Sequence, residues 1–77
     1  MTNNETNLAI LKCVSNFTNI IPEVYFREDS SNIMVCFQKD IPDEESTNKI
    51  GNALKEFGQP IPNHYREASF ISFIIHR

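Results

Sequence analysis

The chain has no tryptophan, and only two glycines, two cysteines and two methionines among its 77 residues. With glycine so scarce there is no glycine-rich loop to cradle a phosphate, and neither a low-complexity segment nor a tandem repeat is present. Cys13 and Cys36 make no Cys-x-x-Cys pair. Each sits inside an apolar pattern, "LAILKCV" and "IMVCF", and reads as a small buried hydrophobe, not a redox or metal residue. No apolar run approaches the ~18 residues that cross a bilayer. The opening "MTNNETN" lacks the basic and apolar regions of a secretory leader, so the expected compartment is the cytoplasm. The sequons Asn4-Glu5-Thr6 and Asn16-Phe17-Thr18 then read as chance matches.

Positive charge is also short. Seven Lys and Arg face ten Asp and Glu, for a net charge of −3. The basic residues are scattered, which disfavours a general nucleic-acid binder, since such a protein needs cations clustered against phosphates. Catalytic signatures are missing as well: there is no Gly-x-Ser-x-Gly elbow, and His64 and His76 have no zinc-type spacing to the cysteines. The acidic cluster Asp40, Asp43, Glu44 and Glu45 lacks the glycine and alternating spacing of a calcium loop, and helix capping accounts for it. The expectation is therefore a non-enzymatic protein without metal or cofactor.

What is present describes one small folded domain over residues 1–77. A hydrophobic fraction of 40% and a charged fraction of 22% suit a globule and not a disordered tail. Residues 1–5 are polar and expected to fray, although Thr2 and Glu5 have the spacing of a capping box, and Asn4 or Thr6 could also cap. Leu8, Leu11 and Val14, with Ile10, Cys13 and Phe17, recur at helical spacing, and Pro22 ends that helix at about Thr18 to Ile20. "EVYFRE" and "NIMVCFQK" alternate as strands across the turn "DSSN", which predicts an antiparallel hairpin. In "KDIPDEESTNKIGNALKEFG" Asp40 or Asp43 caps a second helix and Pro42 falls in its first turn. Ile50, Ala53, Leu54 and Phe57 form its apolar stripe, Glu45 pairs with Lys49, and Gly58 ends it. Gly51, in the helix interior, is explained equally by a close approach of a strand or partner or by simple tolerance. "QPIPN" breaks the helix, and residues 68–77 form the last strand.

The order helix, strand, strand, helix, strand predicts an α+β two-layer sandwich with a three-stranded mixed sheet. In order alone it resembles the ferredoxin-like arrangement without its first strand. The hairpin makes its two strands neighbours, so strand 68–77 is predicted at an edge, beside the second hairpin strand or beside the first. This strand is apolar on both faces, and such an edge invites pairing. Either the two helices cover opposite faces of the sheet, or both cover one face. The second arrangement is preferred. It leaves Tyr25, Met34, Cys36, Phe70 and Ile74 as an exposed apolar patch rimmed by Arg27, Gln38, Ser72 and His76.

A patch of that kind marks an interface, with a symmetric homodimer as its commonest form. The leading expectation is a non-catalytic interaction or regulatory protein, inhibitor- or antitoxin-like in size and charge. It would associate with itself through a sheet face or through edge strand 68–77, and meet another protein. A different class is a small-ligand or nucleic-acid binding module using the open sheet face and a loop at residues 63–67. In that loop His64 and Tyr65 can exchange protons and Arg66 can hold an anion. Tyr25, Phe26 or Phe70 could stack on bases, but Glu23, Glu28 and Asp29 would repel the nucleic-acid backbone.

Overall fold

The computed structural model describes residues 2–28, 30–65 and 70–77, with the backbone alone described for residues 62–65. The elements run α1 (Asn3–Ser15), β1 (Glu23–Phe26), β2 (Ile33–Phe37), α2 (Glu44–Ala53) with a 3₁₀ turn at Leu54–Phe57, β3 (Gln59–Tyr65) and β4 (Phe70–His76). The fold is α+β, with four strands where three were expected.

The capping signals work as read. The Thr2 hydroxyl accepts from the Glu5 N–H at 3.2 Å, and the Glu5 carboxylate accepts from the Thr2 N–H at 3.3 Å. This reciprocal pair makes Asn3 to Glu5 the first turn of α1. The helix also stops earlier than Pro22 implied. The Asn16 and Phe17 N–H groups bond three residues back, to the Cys13 and Val14 carbonyls, a tightened last turn that closes α1 at Ser15. The buried stripe is Thr6, Ile10 and Val14, while Leu8 faces solvent at 66% exposure. In α2 the cap is Asp43, whose carboxylate accepts from the Ser46 N–H at 2.7 Å. Pro42 thus precedes the cap and is outside the first turn. The Lys49 ammonium lies 3.3 Å from the Glu45 carboxylate, as its i,i+4 spacing predicts.

The extra strand is "QPIPNHY". Prolines cannot donate to a ladder, so this segment reads as a breaker, yet an edge strand accepts proline where the missing N–H would point to solvent. β3 is such an edge. The sheet order is β1-β2-β4-β3, and every neighbouring pair is antiparallel. Two expectations are corrected. The sheet is antiparallel and not mixed. The strand of residues 68–77, described from Phe70, is an inner strand and not an edge: β2 lies on one side of it, as one of the expected orders had it, and β3 on the other. Since β2 and β3 both run antiparallel to β4, they are parallel to each other, and β2-α2-β3 is a split β-α-β unit with β4 inserted.

Both helices lie on one face. Ile10 and Val14 from α1, with Ile50 and Leu54 at the end of α2, bury against Ile33, Val35 and Phe37 of β2 and Ile71, Phe73 and Ile75 of β4. Val24 and Phe26 of β1 pack at the margin of this core. Two glycines fit α2 and the turn after it to the strands. A Cβ on Gly51 would lie 3.2 Å from the Phe73 ring, so the strand does approach the helix closely there. Gly58 has φ 146°, and a Cβ on it would meet the His76 carbonyl oxygen at 2.5 Å and Ile75 Cγ2 at 2.9 Å. Gly58→Ala should therefore destabilise the fold by at least the ~1–3 kcal/mol of a strained backbone position. Denaturant unfolding checks this: a midpoint equal to the parent's would contradict it.

Candidate functional site: the helix-free sheet face

Side chains alternate across a strand, so the face opposite the core carries Glu23 and Tyr25 of β1, Met34 and Cys36 of β2, Ile61 of β3, and Phe70, Ser72, Ile74 and His76 of β4. The registers align them in rows. Tyr25 pairs with Met34, Met34 with Ile74, and Ile74 with Ile61. An apolar row therefore crosses all four strands, over roughly 14 Å at ordinary strand spacing. Its ends are the most open, with Tyr25 at 44% and Ile61 at 47% exposure, while Met34, Ile74 and the neighbouring Phe70 are half-buried.

Most of the expected patch is thus brought together on one face, with two changes. Cys36 lies on it but is only 2% exposed, and Ser72, expected in the rim, is 1% exposed. Short side chains on the two inner strands sit below the level of Met34, Phe70 and Ile74, their diagonal neighbours. Ile61 is a member the sequence reading missed, because its segment was not recognised as a strand. Its signal was present: two prolines at alternate positions mark an edge strand, and the residue between them then faces the other way along the ladder. His76 is exposed at the end of β4, and Arg27 and Gln38 are exposed beside the strand ends.

The expected loop at 63–67 is not a loop over its first part. Asn63, His64 and Tyr65 belong to β3, with His64 paired to Ile71 and Tyr65 to Phe70. The side chains of His64 and Tyr65, and the whole of Arg66, lie outside the described residues, and so does the expected His64–Tyr65–Arg66 site.

The Tyr25 hydroxyl donates to the Glu23 carboxylate. That bond is the main reason its phenol pKa is raised above the ordinary value, with desolvation next. Burial pushes the Cys36 thiol up, Glu23 adding to it, and burial with Glu56 pushes the Cys13 thiol up. Both sulfurs are held as thiols, the weaker nucleophile. Among the described residues no three His, Cys, Asp or Glu side chains are grouped to hold a metal ion, and no helix is long and apolar enough to cross a membrane. A shallow hollow beside the face, lined by Ile20, Ile21, Glu23, Cys36, Gln38 and Lys39, mixes charge signs and converges on no single group.

A raised pKa means that folding favours the protonated phenol. This contribution is present below the unfolded phenol pKa and is lost as pH rises through the folded one. In a Tyr65→Phe chain, ultraviolet titration should place the Tyr25 midpoint above 10.0, and Glu23→Gln should move it back down. A midpoint unchanged by Glu23→Gln would refute the assignment.

Comparison with protein-family models, with curated proteins and with solved structures finds no match to this chain.

Proposed function

We propose that this chain is a non-catalytic protein-interaction module that associates with a second copy of itself and presents its helix-free sheet face as a contact surface. One observation carries the reading: Tyr25, Met34, Ile74 and Ile61 stand in register across all four strands on the face that neither helix covers. A contiguous apolar strip on a domain of this size favours association over hydration. Three of the acidic groups that could do chemistry have structural partners. Asp43 caps α2, Glu45 pairs with Lys49, and Glu23 accepts from Tyr25. Stacking of nucleic-acid bases on Tyr25 has no support from charge, since the carboxylate of Glu23 is bonded to its hydroxyl.

Sedimentation velocity from micromolar to millimolar chain should show reversible self-association. Amide hydrogen exchange over the same range should show added protection in the sheet, and none around Leu8 of α1. A strict monomer, or protection confined to the helices, overturns the reading.

A further inference from the structure

The two edges of the sheet are not equivalent, and the backbone shows why. The Arg27 N–H bonds the Asn32 carbonyl at 3.2 Å, so 27 and 32 face each other across the β1–β2 hairpin. In an antiparallel ladder, hydrogen-bonded and non-hydrogen-bonded pairs alternate. Tyr25/Met34 and Glu23/Cys36 are then bonded pairs, and the N–H and C=O of Val24 and Phe26 point away from β2. The same alternation can be followed through the unbroken registers. Ile33, Val35 and Phe37 bond to β4, and Phe70, Ser72, Ile74 and His76 bond to β3. Pro60, Pro62 and His64 of β3 therefore point their backbone outward. Both prolines thus face the side where a missing N–H costs the ladder nothing. The outer edge of β3 has lost two of its three donors and cannot seat another strand regularly. The outer edge of β1 keeps both of its donors and both acceptors, and among the described residues no backbone bond outside the ladder occupies them.

We infer that two copies join by antiparallel pairing of β1 with β1 about a twofold axis at Tyr25. This inference rests on the self-association proposed above and adds its geometry. In that register Val24 meets the partner's Phe26 and Phe26 meets the partner's Val24, each pair exchanging two backbone hydrogen bonds. Tyr25 stands opposite the partner's Tyr25 on the helix-free face, an aromatic cross-strand pair. Glu23 stands opposite the partner's Arg27, and Arg27 opposite the partner's Glu23, so opposite charges meet twice. Moving the register by two residues breaks both charge pairs and sets Tyr25 against the partner's Glu23 or the partner's Arg27. Charge and aromatic complementarity thus select a second copy of this chain as the occupant, in one register.

The consequence concerns the face. One copy's sheet offers roughly 400 Å² of flat area, from strand spacing and rise. That is about half of the ~800 Å² per partner in a stable interface. The joined sheet has eight strands and reaches that area, because the Tyr25 pair makes the two apolar rows one, over roughly 34 Å.

Charge reversal tests the pairing. Glu23→Arg and Arg27→Glu should each weaken self-association by about tenfold or more, since each sets like charges opposite twice. An equimolar mixture of the two variants should restore it, because the mixed pair again sets Arg against Glu at both positions. Circular dichroism confirms that each variant is folded. Independently, Tyr25→Cys in a chain with Cys13→Ala and Cys36→Ala should form an interchain disulfide under mild oxidation, since directly opposed residues in a non-hydrogen-bonded pair lie within disulfide reach. Ile61→Cys in the same background should not. A dimer that ignores both reversals, or that cross-links through Ile61→Cys and not through Tyr25→Cys, overturns the β1 pairing while self-association stands. A strict monomer overturns both.

Discussion

The insertion of β4 between β2 and β3 is the constraint on which the rest of the molecule depends. It gives the last strand two neighbours, and it turns the segment after α2 into an edge. Ile71, Phe73 and Ile75 line up beside Ile33, Val35 and Phe37, and the two rows form the floor of the core. α2 sits close on Phe73 where Gly51 has no side chain, a Cβ there lying 3.2 Å from the ring, and the chain can turn into β3 only because Gly58 clears the His76 carbonyl. The position of one strand therefore fixes where the helix stands, how it ends and which face of the sheet stays open. At the turn end of the β1–β2 hairpin the Arg77 guanidinium contributes too: it donates to the Ser31 carbonyl at 2.9 Å and lies over the Phe26 ring at 5.9 Å.

The parts of this arrangement that the sequence makes legible are those written in local periodicity and caps. The hairpin, both helices, the Thr2–Glu5 capping box, the Glu45–Lys49 pair and the terminal strand follow from spacing alone. β3 does not, because the feature that hides it is the one that suits it to an edge. Pro60 and Pro62 look like breakers until the direction of their missing N–H groups is known, and that direction depends on a neighbour across the sheet. Failing to see β3 has an immediate cost, since a three-stranded sheet forces residues 68–77 to an edge and drops Ile61 from the open face. Burial is the second thing that alternation conceals. Cys36, whose apolar surroundings in sequence mark it as a buried hydrophobe, and Ser72 share the open face with Met34 and Ile74 yet lie beneath them, a matter of side-chain length among neighbours and not of alternation.

Ion pairs and acidic clusters shape this molecule only locally. The exposed Glu45–Lys49 pair supports a helix by a few tenths of a kcal/mol, and Asp43 contributes about 1 kcal/mol as a cap. Neither positions a ligand. What distinguishes one region of the surface from another is the state of the backbone at the sheet margins and the apolar row between them. The β3 edge is silenced by composition, with two prolines among three outward positions. The β1 edge is limited only by its length of four residues.

Magnitudes decide what kind of association such an edge can support. Four backbone hydrogen bonds at a net ~1 kcal/mol each, with one aromatic pair and two charge pairs at ~0.2–1 kcal/mol each, amount to roughly 5–7 kcal/mol before the loss of translational and rotational freedom on association is subtracted. A micromolar dimer requires about 8 kcal/mol. Pairing through β1 alone, as proposed, would therefore give a complex that responds to concentration and is not permanent. A third surface lying across the joined apolar row would bury area on both copies at once and supply the remainder. Binding to that surface and pairing of the two copies are then thermodynamically linked, because a ligand that spans the seam favours the paired state by its differential affinity. For a chain of 77 residues, with little core to spare, the same linkage would add to the stability of β1, which has one neighbour when the chain is alone and would have two in the proposed pair.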